Sequence, residues 1–213
     1  IINFIDEISL EAKIIGAVNT LKIKKDGKIY GDNTDAKGFI NNLLNIYPDW
    51  KERKGPIVIL GAGGAARAII YSILKNNKCN IRIINRNKDR ANNLIYDMKK
   101  IFPETSFEYY NSSNKALENS SFLINASSLG MIGHPKLSIN LGAMNKNSVV
   151  YDVVYSPLET NLLKEAKKLD FLTIDGLGML LEQAAPAFNS WFNKKVYVNE
   201  ELRNKVIKKI KDS

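Results

Sequence analysis

The stretch "IVILGAGGAARAII", which runs from Ile57 to Ile70, decides the fold of this protein. An apolar run leads into a glycine cluster, and a small-residue segment with helical character follows it. The cluster from Gly61 to Ala66 fits the pattern G-x-G-x-x-A between a predicted strand and a predicted helix. That context is typical of a turn that binds a dinucleotide. A phosphate-binding P-loop is excluded, because its terminal Gly-Lys-Ser/Thr is missing here.

The small residues of this cluster have separate expected roles. Gly61 permits a tight turn, Gly63 lets the backbone approach a pyrophosphate, and Ala66 allows the helix to pack closely on the strand. The amide groups at the start of the helix would then hold the phosphate charge. A small-residue turn without a ligand is the alternative interpretation. The residues expected to contact the cofactor are Gly61, Ala62, Gly63, Gly64 and Ala65.

The end of the next predicted strand favours NADP over NAD as the cofactor. An NAD site usually has an acidic residue here that binds the ribose hydroxyls. This chain has Asn85 instead, followed by Arg86 and, one helical turn later, by Arg90. A guanidinium group can stack on the adenine and pair with the 2′-phosphate, whereas an acid would repel that phosphate. A solvated helix start is the alternative interpretation of the two arginines.

The remaining pattern predicts an α/β protein. From residue 57 onward, short apolar strands alternate with helices, which indicates a parallel sheet covered on both faces. Upstream we expect a short helix ended by Gly16 and two strands joined at Asp26-Gly27. A helix follows, with Asn33 or Thr34 as its N-cap. Two final helices, the second strongly basic, complete a Rossmann-type parallel sheet domain with a partial second α/β lobe.

Composition restricts the class of protein. The 213 residues carry a net charge of +9 and are 45% hydrophobic, which is ordinary for a globular protein. No apolar run reaches the roughly 18 residues of a membrane span, and the opening residues do not resemble a signal peptide. The single cysteine, Cys79, excludes an intrachain disulfide and a multi-cysteine metal site, so we expect a cytoplasmic protein without a metal. The tail "RNKVIKKIKDS" is interpreted as a solvated helix face, so neither nucleic acid nor membrane is an expected partner.

Seven sequence blocks resemble successive motifs of the shikimate dehydrogenase family, in order and in spacing. They are "GAVNTL" (16–21), "GDNTDAKGF" (31–39), "LGAGGAARA" (60–68), "NRN" (85–87), "INASSLGM" (124–131), "DVVYSPLET" (152–160) and "DGLGMLLEQAAPAF" (175–188). The family consists of two-lobed enzymes that interconvert 3-dehydroshikimate and shikimate with NADPH, in the route to chorismate and the aromatic amino acids. The resemblance implies that this chain is an oxidoreductase with the same substrate and cofactor.

The resemblance also implies which residues form the site. Asn19 and Asp35 would bind the ring hydroxyls, and Asp35 would form the acidic half of a catalytic Lys–Asp pair. Tyr155 and Gln183 would also contact the substrate. From the residues alone, Asp35 could be a helix N-terminal acid favoured by the helix dipole, and the other three could have structural roles. The further residues implied to line the cofactor are Ala126, Ser127, Ser128, Val153, Gly176 and Met179.

One part of the family pattern is missing from this chain. In the family, a segment before "GAVNTL" carries a serine pair for the substrate carboxylate and a "VT-x-P-x-K" motif with the acid–base lysine. No residue here lies in that motif, and the chain begins with Ile, so we expect an upstream segment to be absent. Alternatives are a non-catalytic or truncated NADP-binding module, a quinate/shikimate dehydrogenase with relaxed cofactor choice, and a basic nucleic-acid-binding domain.

The predicted domains follow from this resemblance. A partial substrate-binding lobe is expected at 1–34, an NADP-binding Rossmann domain at 35–175, and C-terminal helices that return to the substrate lobe at 176–213. The active site is expected in the cleft between the lobes. The only histidine, His134, is expected in a surface loop, and Cys79 has no adjacent base that would make it a nucleophile. The sequence leaves a monomer and a homodimer equally open.

Overall fold

The computed structural model describes residues 1–211, and its first elements form a small sheet with one helix. They are strand β1 (Glu7–Ile8), helix α1 (Leu10–Ile15), and strands β2 (Thr20–Ile23) and β3 (Ile29–Asp32). β3 lies in the middle, parallel to β1 and antiparallel to β2. As predicted, α1 ends at Gly16, whose φ of 73° favours glycine, and β2 turns into β3 at Asp26–Gly27.

Seven further α-helices and six strands follow within the described residues. The helices are α2 (Asp35–Ile46), α3 (Gly64–Asn76), α4 (Lys88–Ile101), α5 (Ser113–Leu117), α6 (Asn161–Lys168), α7 (Gly176–Phe192) and α8 (Glu200–Lys211). The strands are β4 (Ile57–Leu60), β5 (Ile81–Ile84), β6 (Phe107–Tyr110), β7 (Phe122–Asn125), β8 (Val149–Asp152) and β9 (Leu172–Ile174). Residues 212–213 of the predicted C-terminal part lie outside the described residues.

The six strands form one parallel sheet. Their spatial order is β6-β5-β4-β7-β8-β9, so the chain order reverses between β4 and β7. Two βαβ halves in this order form the doubly wound dinucleotide-binding fold, in which ligands bind at the reversal, outside the carboxyl ends of the strands. The predicted Rossmann-type α/β class is therefore confirmed.

Helices cover both faces of this sheet because successive residues of a strand point to opposite sides. In β4, Ile57 and Ile59 join the apolar core with α3 and α4, whereas Val58 and Leu60 join the core with α5 and α6. Every residue of β4, β7 and β8 is buried, which explains their continuous apolar sequences. α2 connects the two parts of the molecule, because it packs against both α3 and α7.

Residues 1–211 contain neither a candidate membrane span nor a cluster of candidate metal ligands. None of the helices has both the length and the apolar character that crossing a bilayer requires. The same residues contain no group of three His, Cys, Asp or Glu side chains arranged to hold a metal ion.

Candidate active site

Three of the residues implied to bind substrate meet in one hydrogen-bonded cluster. The side-chain amide of Asn19 donates to Asp35 Oδ1 at 2.8 Å, and Asn19 Oδ1 accepts from the backbone amide of Thr34 at 2.9 Å. Gln183 Oε1 accepts from the Thr34 hydroxyl at 3.2 Å. Asn19 and Gln183 are 164 positions apart in the chain, so only the fold brings them together. We call Asn19, Thr34, Asp35 and Gln183 the amide–acid cluster.

Asn33 fixes the start of α2, from which Asp35 projects. Its Oδ1 accepts from the Asp35 amide at 3.0 Å and from the Ala36 amide at 3.4 Å, whereas the Thr34 side chain makes no capping bond. Thr34 therefore occupies the N-cap position, whereas the capping side chain is that of Asn33, one residue earlier. Its own amide donates to the Ala17 carbonyl at 3.1 Å, which ties α2 to the segment just before Asn19.

Glycines allow α2 and α7 to approach closely beneath this cluster. A Cβ placed on Gly38 would lie 2.6 Å from Gln183 Cβ and 2.7 Å from its backbone nitrogen. A Cβ on Gly178 would lie 1.8 Å from Asn42 Oδ1. The backbone of one helix therefore contacts the other directly, and this contact sets the distance between Asp35 and Gln183.

Burial gives Asp35 the electrostatic character of a proton-transfer group. Loss of solvent raises the pKa of its carboxyl group above the usual value of 3.8, and the hydrogen bond from Asn19 lowers it in part. Among residues 1–211, no cation forms an ion pair with Asp35. A carboxylate whose pKa is raised and which is held in one orientation can accept and return a proton.

An apolar cavity of about 550 Å³ opens beside the cluster. Asn19, Thr20 and Gln183 supply its polar part, and its apolar walls include Leu181, Phe188, Trp191, Tyr197 and Leu202. A few polar groups in the wall of an otherwise apolar cavity are typical of a site that orients a small ligand.

The glycine cluster forms an open turn at the carboxyl end of β4. Gly61 has φ 119°, and a Cβ there would lie 2.8 Å from the Ala126 carbonyl oxygen, so this position requires glycine. Around Gly63 there is no atom within 4 Å of an added Cβ among the described residues. In the same residues, no side chain caps the start of α3. The mouth of α3 is therefore open to an anionic ligand, while Ala66 lies fully buried in the core.

Loops from the neighbouring strands surround this turn. The Gly61 amide donates to the Ile84 carbonyl at 2.9 Å, which places the segment after β5 beside the turn. There Arg86 and Arg90 are exposed, and neither side chain forms an ion pair within residues 1–211. The Asn85 side chain is used locally, because it donates to the Asn87 carbonyl at 2.7 Å. The two guanidinium groups are thus free to meet an anion that extends from the glycine turn.

The loop after β7 flanks the turn on its other side. Ala126 is buried, and its amide donates to the Leu60 carbonyl at 2.8 Å. The Ser127 hydroxyl donates to Asn125 Oδ1 at 2.6 Å and accepts from the Leu129 amide at 3.2 Å, so it holds the loop itself. Ser128 is exposed at the same edge.

The predicted substrate contact Tyr155 and the predicted cofactor contacts Val153, Gly176 and Met179 differ in their accessibility. Val153 and Tyr155 are half-buried where β8 ends. Gly176 is buried, and a Cβ there would lie only 2.1 Å from the Val153 carbonyl oxygen, so it serves close backbone packing. Met179 is also buried and belongs to the apolar core. Contact of Gly176 and Met179 with a cofactor remains a prediction.

The sequence reasoning missed a buried polar network beneath this edge. Asp152 is fully buried and accepts from the Thr160 hydroxyl at 2.7 Å, the Asn125 side chain at 2.9 Å and the Val154 amide at 3.0 Å. Burial raises the pKa of Asp152, although each of these hydrogen bonds lowers it. A polar residue within each apolar strand, in "FLIN" and "VVYD", was the available signal. The network fixes the loops that begin at Asn125 and Asp152.

Two other residues lie away from the cluster. His134 is exposed in a loop, as predicted. Cys79 lies at the opposite, amino-terminal edge of the sheet, just before β5, and burial raises the pKa of its thiol to about 12. A thiol in this state is a poor nucleophile, which agrees with the sequence-based expectation.

A doubly wound parallel sheet with an open glycine turn at its switch point defines the class of dinucleotide-binding proteins. A profile described as Shikimate / quinate 5-dehydrogenase matches residues 44–153. A relative from Cereibacter sphaeroides named "Shikimate dehydrogenase (NADP(+))" is 43% identical over 207 residues, which cover 97% of this chain and 73% of the relative.

Solved structures agree with the sequence comparison. A shikimate dehydrogenase in complex with NADP+ has a TM-score of 0.85 and 37% identity, with 98% of this chain and 72% of that chain covered. A quinate dehydrogenase from Corynebacterium glutamicum in complex with NAD has a TM-score of 0.83 and 28% identity, with 97% and 73% covered. This chain belongs to the shikimate/quinate dehydrogenase family, and the resemblance predicted from its motifs is confirmed.

Substitution of Gly38 by alanine tests the contact between α2 and α7. Alanine within a helix normally stabilises a protein relative to glycine. Here the added Cβ would overlap Gln183, so we expect the free energy of unfolding to fall by about 1–3 kcal/mol. Urea denaturation measures the change, with the exposed Lys37→Ala in the same helix as the control. A more stable Gly38→Ala protein would contradict the packing described above.

Substitution of Asp35 by asparagine tests the cost of burying its charge. A carboxyl group whose pKa is raised by folding adds stability at low pH, and this contribution is lost as the pH rises through the folded pKa. We therefore expect Asp35→Asn to melt at a higher temperature than the wild type at about pH 7. The difference should shrink as the pH falls toward 3.8.

Asp89→Asn is the matched control for this measurement. Asp89 also lies in the first turn of a helix but is exposed, so the helix dipole favours its charge without a burial cost. We expect no rise in its melting temperature. An equal rise in both variants would refute the assignment of the effect to burial.

Proposed function

We propose that this chain carries out the NADP-dependent interconversion of 3-dehydroshikimate and shikimate in aromatic amino acid biosynthesis. The observation that carries the proposal is the amide–acid cluster, held by α2 and α7 close to the open glycine turn. A Cβ on Gly64 would lie 3.4 Å from Ala17 Cβ, and Ala17 precedes Asn19 by two residues. The names of an NADP-dependent relative and of an NADP+ complex support the substrate and cofactor.

The cluster suits a cyclic polyol or ketone. The amides of Asn19 and Gln183 can both donate and accept, as ring hydroxyl groups require. When bound, NADPH supplies the hydride. Asp35 accepts a proton from a ring hydroxyl in the oxidation direction and returns it in the reduction direction, for which its raised pKa is suited. Tyr155 would complete the contacts from the end of β8.

The second acid–base group is assigned to no residue of this chain. The resemblance places it on the lysine of a "VT-x-P-x-K" motif, and that motif does not occur in these 213 residues. The matched segment spans 73% of the Cereibacter relative. We therefore propose that the chain as given binds both ligands. Turnover requires the second acid–base group in addition.

A turnover assay tests this proposal. NADP+ reduction is followed by absorbance with shikimate as substrate, in the wild type and in Asp35→Asn. We expect the variant to lose about 100-fold or more in kcat because the proton acceptor is removed. A wild type that binds NADPH but turns over neither shikimate nor quinate would instead support a non-catalytic NADP-binding module.

A quinate dehydrogenase that accepts NAD is the second candidate, and the quinate dehydrogenase relative bound to NAD favours it. The two candidates differ in the ratio of kcat/KM for shikimate and quinate, and in cofactor preference. Asn85 and Arg86 support NADP, because an acid that would favour NAD is missing at this position.

We also propose the division into lobes at 1–34, 35–175 and 176–213. Trp191 of α7 donates its indole N–H to the Leu21 carbonyl at 2.7 Å, which supports a return of the C-terminal helices to the small sheet. The site lies where the two parts meet. A monomer or homodimer in the cytoplasm remains the prediction from the sequence.

The glycine turn gives a prediction that separates ligand binding from folding. Gly63 has an extended backbone conformation and open surroundings, so Gly63→Ala should fold normally. Its methyl group would nevertheless block the approach of the pyrophosphate. We expect NADPH affinity to fall about 10-fold or more, the equivalent of one hydrogen bond to a charged group. Fluorescence titration measures it.

Gly61→Ala should behave in the opposite way. An alanine at this φ of 119°, with its Cβ 2.8 Å from the Ala126 carbonyl oxygen, would strain the fold itself. We therefore expect the melting temperature of Gly61→Ala to fall. If Gly63→Ala binds NADPH as tightly as the wild type, the turn is not the pyrophosphate site.

Arg86→Ala tests recognition of the 2′-phosphate. The exposed guanidinium would pair with the 2′-phosphate of NADPH, a group that NADH lacks. We expect KM for NADPH to rise about 10-fold or more, and KM for NADH, which shares only the adenine contact with this arginine, to rise much less. Lys88→Ala, an exposed cation in the same segment, controls for general charge. Equal use of both cofactors by the wild type would contradict the assignment.

A further inference from the structure

Arg67 joins three elements at the back of the glycine turn. It lies in the first turn of α3, and only 17% of its side chain is exposed. Its Nε donates to the Ile15 carbonyl at 2.6 Å, at the end of α1, and its Nη2 pairs with Asp97 of α4. One guanidinium group thus connects the small sheet region with both helices that flank the candidate cofactor site.

The contact with α1 is close and directional. The last carbonyls of a helix lack partners within the helix and carry partial negative charge, which suits a cationic donor. A Cβ on Gly16 would lie 2.8 Å from Arg67 Nη2, so the guanidinium rests against the Gly16 backbone. The planar fork of arginine can serve the carbonyl and the carboxylate together, which a lysine ammonium cannot match.

The contact between Arg67 and Ile15 lies directly before the chain segment that leads to the amide–acid cluster. Ala17 directly follows Gly16. Its carbonyl accepts a hydrogen bond from the Asn33 side chain, and its Cβ lies against Gly64. Asn19 lies two residues after Ala17, and its backbone amide donates to the Asp32 carbonyl at 3.1 Å. The Arg67 side chain binds Ile15 and Asp97, and none of its hydrogen bonds in residues 1–211 reaches the amide–acid cluster.

We propose that Arg67 is a positioning residue that fixes the distance between Asn19 and the glycine turn. This inference rests on the proposed function, in which the substrate and the cofactor bind at these two places. Asn19 sits on one side of the junction and the pyrophosphate turn on the other. Loss of the tether would leave each binding group intact but misplace the substrate relative to the hydride donor.

Arg67→Ala, Arg67→Lys and Asp97→Asn test the inference in the full chain. In Arg67→Ala we expect kcat to fall about 10- to 100-fold, because a displacement of the substrate by about 1 Å has an effect of this size. The NADPH dissociation constant should change less than about twofold, because the cofactor contacts stay intact. Arg67→Lys should restore part of kcat, because it keeps a donor for Ile15. Asp97→Asn keeps that hydrogen bond and should lose less.

Lys75→Ala is the matched control. Lys75 also joins α3 to α1, through Glu11 at 3.4 Å, but this ion pair is exposed. We expect kcat within about twofold of the wild type, as for an exposed pair of little energetic weight. Wild-type kcat in Arg67→Ala, or an equal loss in Lys75→Ala, would overturn the inference.

Amide hydrogen exchange tests the tether independently of turnover. In Arg67→Ala we expect the amides of Ala17 and Asn19 to exchange at least about 10-fold faster, while those of β4 stay protected. Unchanged exchange at Ala17 and Asn19, or equally faster exchange throughout β4, would refute positioning. A wild type without turnover would contradict the proposed function and leave this exchange measurement to decide the role of Arg67.

Discussion

The close contact between α2 and α7 is the constraint on which the candidate site depends. At Gly38 and Gly178 the two helices meet without room for a side-chain carbon. As a result, Asp35 at the start of α2 and Gln183, two turns into α7, belong to the same hydrogen-bonded cluster. Two residues that have no side chain therefore set the geometry of the side chains that would perform the chemistry.

Two acids illustrate how environment separates structural from chemical roles. Burial raises the pKa of both Asp35 and Asp152. Asp152 is enclosed and receives three hydrogen bonds, so it serves to hold the strand ends. Asp35 has one side-chain donor, Asn19, which lines the cavity, and Asp35 itself is half-buried. The carboxylate with fewer partners is the one for which we propose proton exchange with a ligand.

Much of the fold was predictable because its signals are local. Apolar runs of about four residues, turn glycines and helix caps act over a few neighbouring residues, and they predicted the order of strands and helices. The glycine pattern predicted the turn before α3, since only glycine readily adopts a φ of 119°, the value at Gly61. For the site, Asn19, Asp35 and Gln183 were found through the resemblance to a family. Composition and spacing alone left a structural role open for each.

The sequence by itself determined the fold class, the glycine turn and the missing acid after β5. Only the tertiary structure decided that Asn33, and not the N-cap residue Thr34, supplies the side-chain hydrogen bonds at the start of α2, and that Gly176 and Met179 are buried. It alone revealed the junction at Arg67 and the network around Asp152. These features depend on contacts between residues far apart in the chain, such as Arg67 with Ile15 and Asp97. The energy of such contacts arises only when the packed helices and strands bring the groups together.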